Sequence, residues 1–136
     1  VSTSPSTTDA AAAALQRDVT ALLREAPIRE PWPARGHGAA DARVIEVRIT
    51  TEARPLYLDW GGAGVMPNGT LIIATEVSPK PPNRQLAMLK QRARWRFFEL
   101  GGAGSIVAED ASGRCQRCHL EARADSVFGP PAADPR

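Results

Sequence analysis

The chain has 136 residues, with 17 Lys and Arg against 15 Asp and Glu for a formal charge of +2; 43% of it is hydrophobic but only 5% aromatic. That length supports one domain whose core leans on Val, Ile, Leu and Ala, and is too short for two. No basic run forms a nucleic-acid footprint, and no stretch of about 18 apolar residues is available to span a membrane.

Residues 1–8 are rich in Ser, Thr and Pro, a composition that predicts disorder, and Val1–Pro5 reads as the exposed start of a processed chain. Asp9 is placed to cap a helix running through Ala10–Ala14, with Leu15, Val19, Leu22 and Leu23 on one face, ending near Glu25 before Pro27. The segment with Pro27, Pro31, Trp32, Pro33, Gly36 and Gly38 is expected to be a loop without regular structure.

Three strands follow from the pattern. In Arg43–Ile49, Ile45, Val47 and Ile49 alternate with Glu46 and Arg48, so one face turns inward. Thr70–Val77 follows the turn signal Asn68-Gly69 and is apolar on both faces at its centre, and Arg94–Leu100 is the third. Arg92, Arg94 and Arg96 alternate there as a solvated face. Gln85–Lys90 reads as a fourth strand or a short helix, and Glu52–Trp60 is ambiguous around Pro55. Gly101–Gly104 turns the chain into a short strand, Ser105–Ala108. A helical turn or two is expected from Gln116 to about Arg123, then a loose tail over 130–136, which leaves a single domain at 9–129.

Cys115-Gln116-Arg117-Cys118-His119 carries the chemistry. Two thiols three residues apart can add across the two vinyl groups of one porphyrin, and the next residue is an imidazole able to bind the iron. The predicted cofactor is therefore one covalent haem c, with Cys115 and Cys118 as thioethers and His119 as axial ligand. A zinc site would need four ligands, and beyond these three only His37 remains. A thioredoxin-like CxxC belongs at a helix start after a strand in the N-terminal half. Haem c is attached to exported chains, so the motif implies a periplasmic or extracellular protein whose signal sequence has been removed.

The motif lies near the C-terminus behind several strands, whereas small helical cytochromes carry it near the N-terminus. In this arrangement the chain resembles the cytochrome P-460 and cytochrome c-prime-beta family of small β-sheet haem proteins, over roughly residues 36–129. The resemblance is carried by Pro67-Asn68-Gly69-Thr70-Leu71-Ile72-Ile73, by Trp95-Arg96-Phe97-Phe98, and by the motif followed by Asp125-Ser126-Val127-Phe128. Gly36-His37-Gly38 adds to it weakly. It implies a mainly β (α+β) fold: a curved antiparallel sheet with an N-terminal helix and a C-terminal haem segment, and a homodimer through sheets and helices. Cross-linked members join a lysine at the end of the second strand to the haem ring. Ala74 or Thr75 stands there in this chain, and Lys80 lies beyond Ser78-Pro79. The uncross-linked, c-prime-beta-like branch is thus the implied one.

Phe97, Phe98, Phe128, Ile72 and Ala74 are the expected haem pocket, joined by Trp95, with strand alternation allowing only one of Phe97 and Phe98 to face inward. Met66, Met88, His37, Lys80 and Lys90 are candidates for a sixth iron ligand; core filling is the alternative for the methionines and a solvated strand end for the lysines. In the resembled family the distal side carries no protein ligand. Glu76 and Glu99 are either pocket carboxylates or solvated strand ends. Three functions stay open: a five-coordinate haem protein binding NO or CO within aliphatic walls such as Ile72 and Ile73, a six-coordinate electron carrier working with a redox partner protein, and P-460-like hydroxylamine oxidation.

Overall fold

A computed structural model describes residues 7–33, 44–60, 64–77, 84–101 and 103–110, together with Gly113, Cys115, His119, Asp125 and Val127. Its elements in chain order are α1 (Thr7–Leu23), β1 (Trp32–Pro33), β2 (Val44–Ile49), a 3-10 turn (Thr51–Ala53), α2 (Arg54–Leu58), β3 (Leu71–Val77), β4 (Arg84–Gln91), β5 (Arg94–Leu100) and β6 (Ile106–Glu109). Among the described residues six strands form one open antiparallel sheet in the order β1-β2-β3-β4-β5-β6. Each strand pairs with its sequence neighbours, the arrangement that short connections favour. The mainly β fold with an N-terminal helix is therefore as the sequence predicts.

Several boundaries differ. The helix begins at Thr7, so Asp9 lies within its first turn and not ahead of it. Trp32–Pro33 is a short edge strand on Val44–Ile45, where a proline without an N–H is tolerated. Glu52–Trp60 resolves into the 3-10 turn and α2, with Pro55 in the first helical turn, where its missing donor costs nothing. Gln85–Lys90 is a strand within β4. The rest of residues 1–8, the Gly36-His37-Gly38 loop, the helix expected from Gln116 and the tail at 130–136 lie outside the described residues.

Both faces of the sheet are covered. α1 lays Val19 and Leu22 on Leu71, Ile73, Ala87, Leu89, Phe98 and Leu100. It is fastened there by Gln16, whose Nε2 donates to the Gly104 carbonyl at 3.0 Å and whose Oε1 accepts the Ile106 N–H at 2.8 Å. Gly104, at φ +87°, lets the turn come this close, because an added Cβ would stand 2.4 Å from Leu23 Cδ1. The other face buries Val47, Ile49, Ile72, Met88 and Phe97 beneath Trp32, Ala53, Tyr57, Trp60, Met66 and Val127. Leu71, Ile72 and Ile73 are consequently all buried, as in strands with no solvent side. Phe97 and Phe98 point to opposite faces, as alternation requires, and because both faces are covered both are buried.

Candidate functional site

The face away from α1 is laid out by strand register. Ile49, Ile72, Met88 and Phe97 form one row across β2 to β5, and Val47, Ala74, Leu86 and Glu99 form the next. Cys115 packs against this apolar cluster, half-buried. The His119 ring lies against Phe97, centroids 5.1 Å apart and planes inclined at 51°. One thiol and the imidazole of the motif thus share a face with Ile72, Ala74 and Phe97.

Three anchors hold the segment. The Asp110 N–H donates to the Phe97 carbonyl at 2.8 Å, and the Asp110 carboxylate accepts the Cys115 N–H at 3.2 Å. Downstream, the Asp125 carboxylate accepts the Met66 N–H at 2.7 Å and pairs with the Lys90 ammonium, while its backbone carbonyl accepts the Trp95 indole N–H at 2.7 Å. Trp60 Nε1 then donates to the Val127 carbonyl at 3.1 Å. Lys90 is only 2% exposed, so it is no solvated strand end. Its backbone is gripped by Gly69 and Thr70, and its ammonium also sits 5.4 Å from the Trp95 ring centroid.

The other sequence candidates divide by face. Phe98 and Ile73 turn toward α1, and the Arg96 guanidinium covers the Phe98 ring at 4.9 Å; neither residue reaches His119. Thr75 also turns that way, opening on a cleft of about 360 Å³ lined by Glu46, Arg48 and Gln85. Of the two positions that stand for the cross-linking lysine, only Ala74 shares the motif's face. Met66 and Met88 are buried in the cluster around Phe97. Glu76 is fully buried on this face, with Arg84 Nη1 at 3.8 Å, whereas Glu99 is exposed. Tyr57, packed in the same cluster, has its phenol pKa pushed up by burial and held back somewhat by Arg29. Cys118, Phe128, His37 and Lys80 lie outside the described residues.

Haem iron asks for one protein imidazole and an apolar floor, and His119 stands over such a floor. Among the described residues no group of three or more His, Cys, Asp and Glu assembles that could hold a metal ion. At 5.1 Å the His119 and Phe97 rings are in contact, so a flat macrocycle could lie between them only if they part. Asp110 is the site residue missed by the sequence pattern, although an Asp shortly before a segment expected to be helical is an ordinary capping signal. The pattern also marks Asp125 only as part of a motif. No membrane-crossing helix occurs among the described residues. Compared with known proteins, the chain matches no protein-family model and no curated protein.

Proposed function

We propose that this chain is an exported mono-haem c-type cytochrome, similar to the uncross-linked cytochrome c-prime-beta branch, that binds neutral diatomic gases such as NO and CO. Cys115 and Cys118 would hold the porphyrin and His119 its iron. Such a group supplies an iron centre for small ligands; the chain supplies the tether, the imidazole and the surrounding apolar surface. The observation carrying the reading is that Cys115 and His119 lie on one apolar sheet face with Ile72, Ala74, Met88 and Phe97. The indole N–H groups of Trp60 and Trp95 on this face are both taken up by backbone carbonyls. Bound O₂ gains from a hydrogen-bond donor, whereas NO and CO do not need one, so this surface favours them. Ala74 has no amine to join to a ring, which argues against hydroxylamine oxidation in the manner of cross-linked relatives.

The test is expression of the chain with an export signal and a c-type haem attachment system. The expected product is heavier by one haem, loses it on joint Cys115→Ser and Cys118→Ser substitution, and is five-coordinate and high-spin when reduced, binding CO and NO. A chain recovered without haem overturns the proposal. A reduced six-coordinate low-spin spectrum indifferent to NO replaces it by the electron-transfer reading. That second reading is favoured by one observation, the burial of Met88 as the cross-strand neighbour of Phe97. In that case Met88→Leu would change both the potential and the visible spectrum.

A further inference from the structure

A lysine with almost no exposure needs a reason, because an ammonium taken out of water is unfavourable unless a counter-charge and hydrogen bonds replace its hydration. Lys90 is answered by Asp125, which lies 35 residues away in sequence and six residues beyond His119. Asp125 adopts φ +46°, a left-handed conformation uncommon outside glycine. There it offers its carboxylate to Lys90 and the Met66 N–H, and its carbonyl to the Trp95 indole. Val127 is bound in turn by Trp60, and on the upstream side Asp110 fixes Cys115. His119 therefore lies between two fixed points on one sheet face, and the downstream one is organised around Lys90.

We propose that Lys90, through its ion pair with Asp125, is a positioning residue for His119: it sets how the imidazole is presented to whatever occupies this face. The inference deepens the haem reading and rests on it for its spectroscopic arm. Lys90 suits the role because its backbone N–H and carbonyl are both bonded, to Thr70 and Gly69, at the hairpin end of β4. It gives a fixed point of charge, and no other described cation pairs with Asp125.

The experiment uses the full-length chain as Lys90→Met, Asp125→Asn and the double variant, with Trp95→Phe as a milder change that removes the indole donor to Asp125 and leaves a smaller ring beside the Lys90 ammonium. In the haem-loaded protein, the iron–His119 stretching band of the ferrous state and the rate of CO binding are measured. Lys90→Met is expected to shift the band and change the rate on the order of tenfold, as loss of a partner that orients a metal ligand does. The double variant should fall nearer the parent than either single change, because no lone buried charge remains. A folded Lys90→Met protein with band and rate unchanged overturns the proposal, and Trp95→Phe decides in the same way if Lys90→Met does not fold. In the haem-free chain, amide exchange at Cys115 and His119 should quicken about tenfold while that of Val19 stays constant. Unchanged exchange at His119 overturns the clamp. Faster exchange in a chain that never takes up haem upholds the clamp and overturns the haem reading.

Discussion

The Asp110 carboxylate accepts the Cys115 N–H while its backbone N–H donates to the Phe97 carbonyl, so a single residue ties the start of the motif to β5. Asp110→Ala removes an N-cap-like acceptor and should cost about 1 kcal/mol, read as a lower urea midpoint at unchanged slope. Asp110→Asn keeps an acceptor oxygen and should lose less. On the opposite face the sensitive position is Gly104. A Cβ there would meet Leu23 Cδ1 at 2.4 Å, and φ is already +87°. Gly104→Ala adds a left-handed backbone penalty to an overlap and should destabilise by about 2 kcal/mol or more. Pairing it with Leu23→Ala relieves the overlap alone, so thermal melts of the double variant should recover only part of a loss that the two single changes would otherwise add. The conformational penalty persists whatever stands at residue 23.

At the next scale, β4 and β5 are joined by Arg92-Ala93, both left-handed at φ 51° and 63°. This is the geometry of the two-residue turn whose twist suits a hairpin, and it ordinarily calls for Asn-Gly. The Asn68 side chain compensates by accepting the Ala93 N–H at 2.9 Å. Arg92→Asn with Ala93→Gly should therefore raise stability by about 1 kcal/mol, visible as a higher melting temperature. β6 is held differently. Arg96 makes a two-pronged contact with Glu109, Nε to Oε2 at 3.0 Å and Nη2 to Oε1 at 2.8 Å, on largely exposed side chains. The Arg96 hydrogen bond, with its charge, lowers the Glu109 pKa below the ordinary 4.5 in spite of partial burial. A depressed carboxylate contributes stability above its unfolded pKa and loses it as pH falls through the folded one. Glu109→Gln should thus cost no more than about 1 kcal/mol at neutral pH. In denaturation curves across pH, the gap to the parent should close only below the unfolded carboxylate range. The strands themselves were legible because side chains alternate with period two: Arg94–Leu100 is recovered residue for residue, and Val44–Ile49 and Leu71–Val77 within one. α2 was not legible, since a five-residue helix is too short to show periodicity. Burial of Lys90 was hidden too, because the segment that covers it arrives from 35 residues downstream.

For the molecule as a whole, the decisive fact is that one sheet separates two clusters with different work. The cluster under α1 contains neither Cys115 nor His119, the described residues of the motif, whereas the cluster on the far side packs against Cys115 and meets the His119 ring through Phe97. Local sequence could not reveal this division. Phe97 and Phe98 are neighbours of the same type, and which face each takes follows from pairing with Met88 and Ala87 and from what covers each side. Phe97→Leu and Phe98→Leu therefore make a matched comparison. Each removes similar volume from a buried site, and each should lower stability by about 1 to 2 kcal/mol. Only Phe97→Leu removes the ring that touches His119, so it alone should alter the ferrous spectrum and CO binding of the haem-loaded protein. Phe98→Leu should leave both at parental values while melting earlier. Equal spectral effects from the two changes would mean that the faces are coupled through the sheet, and the assignment of the site to one face would fail.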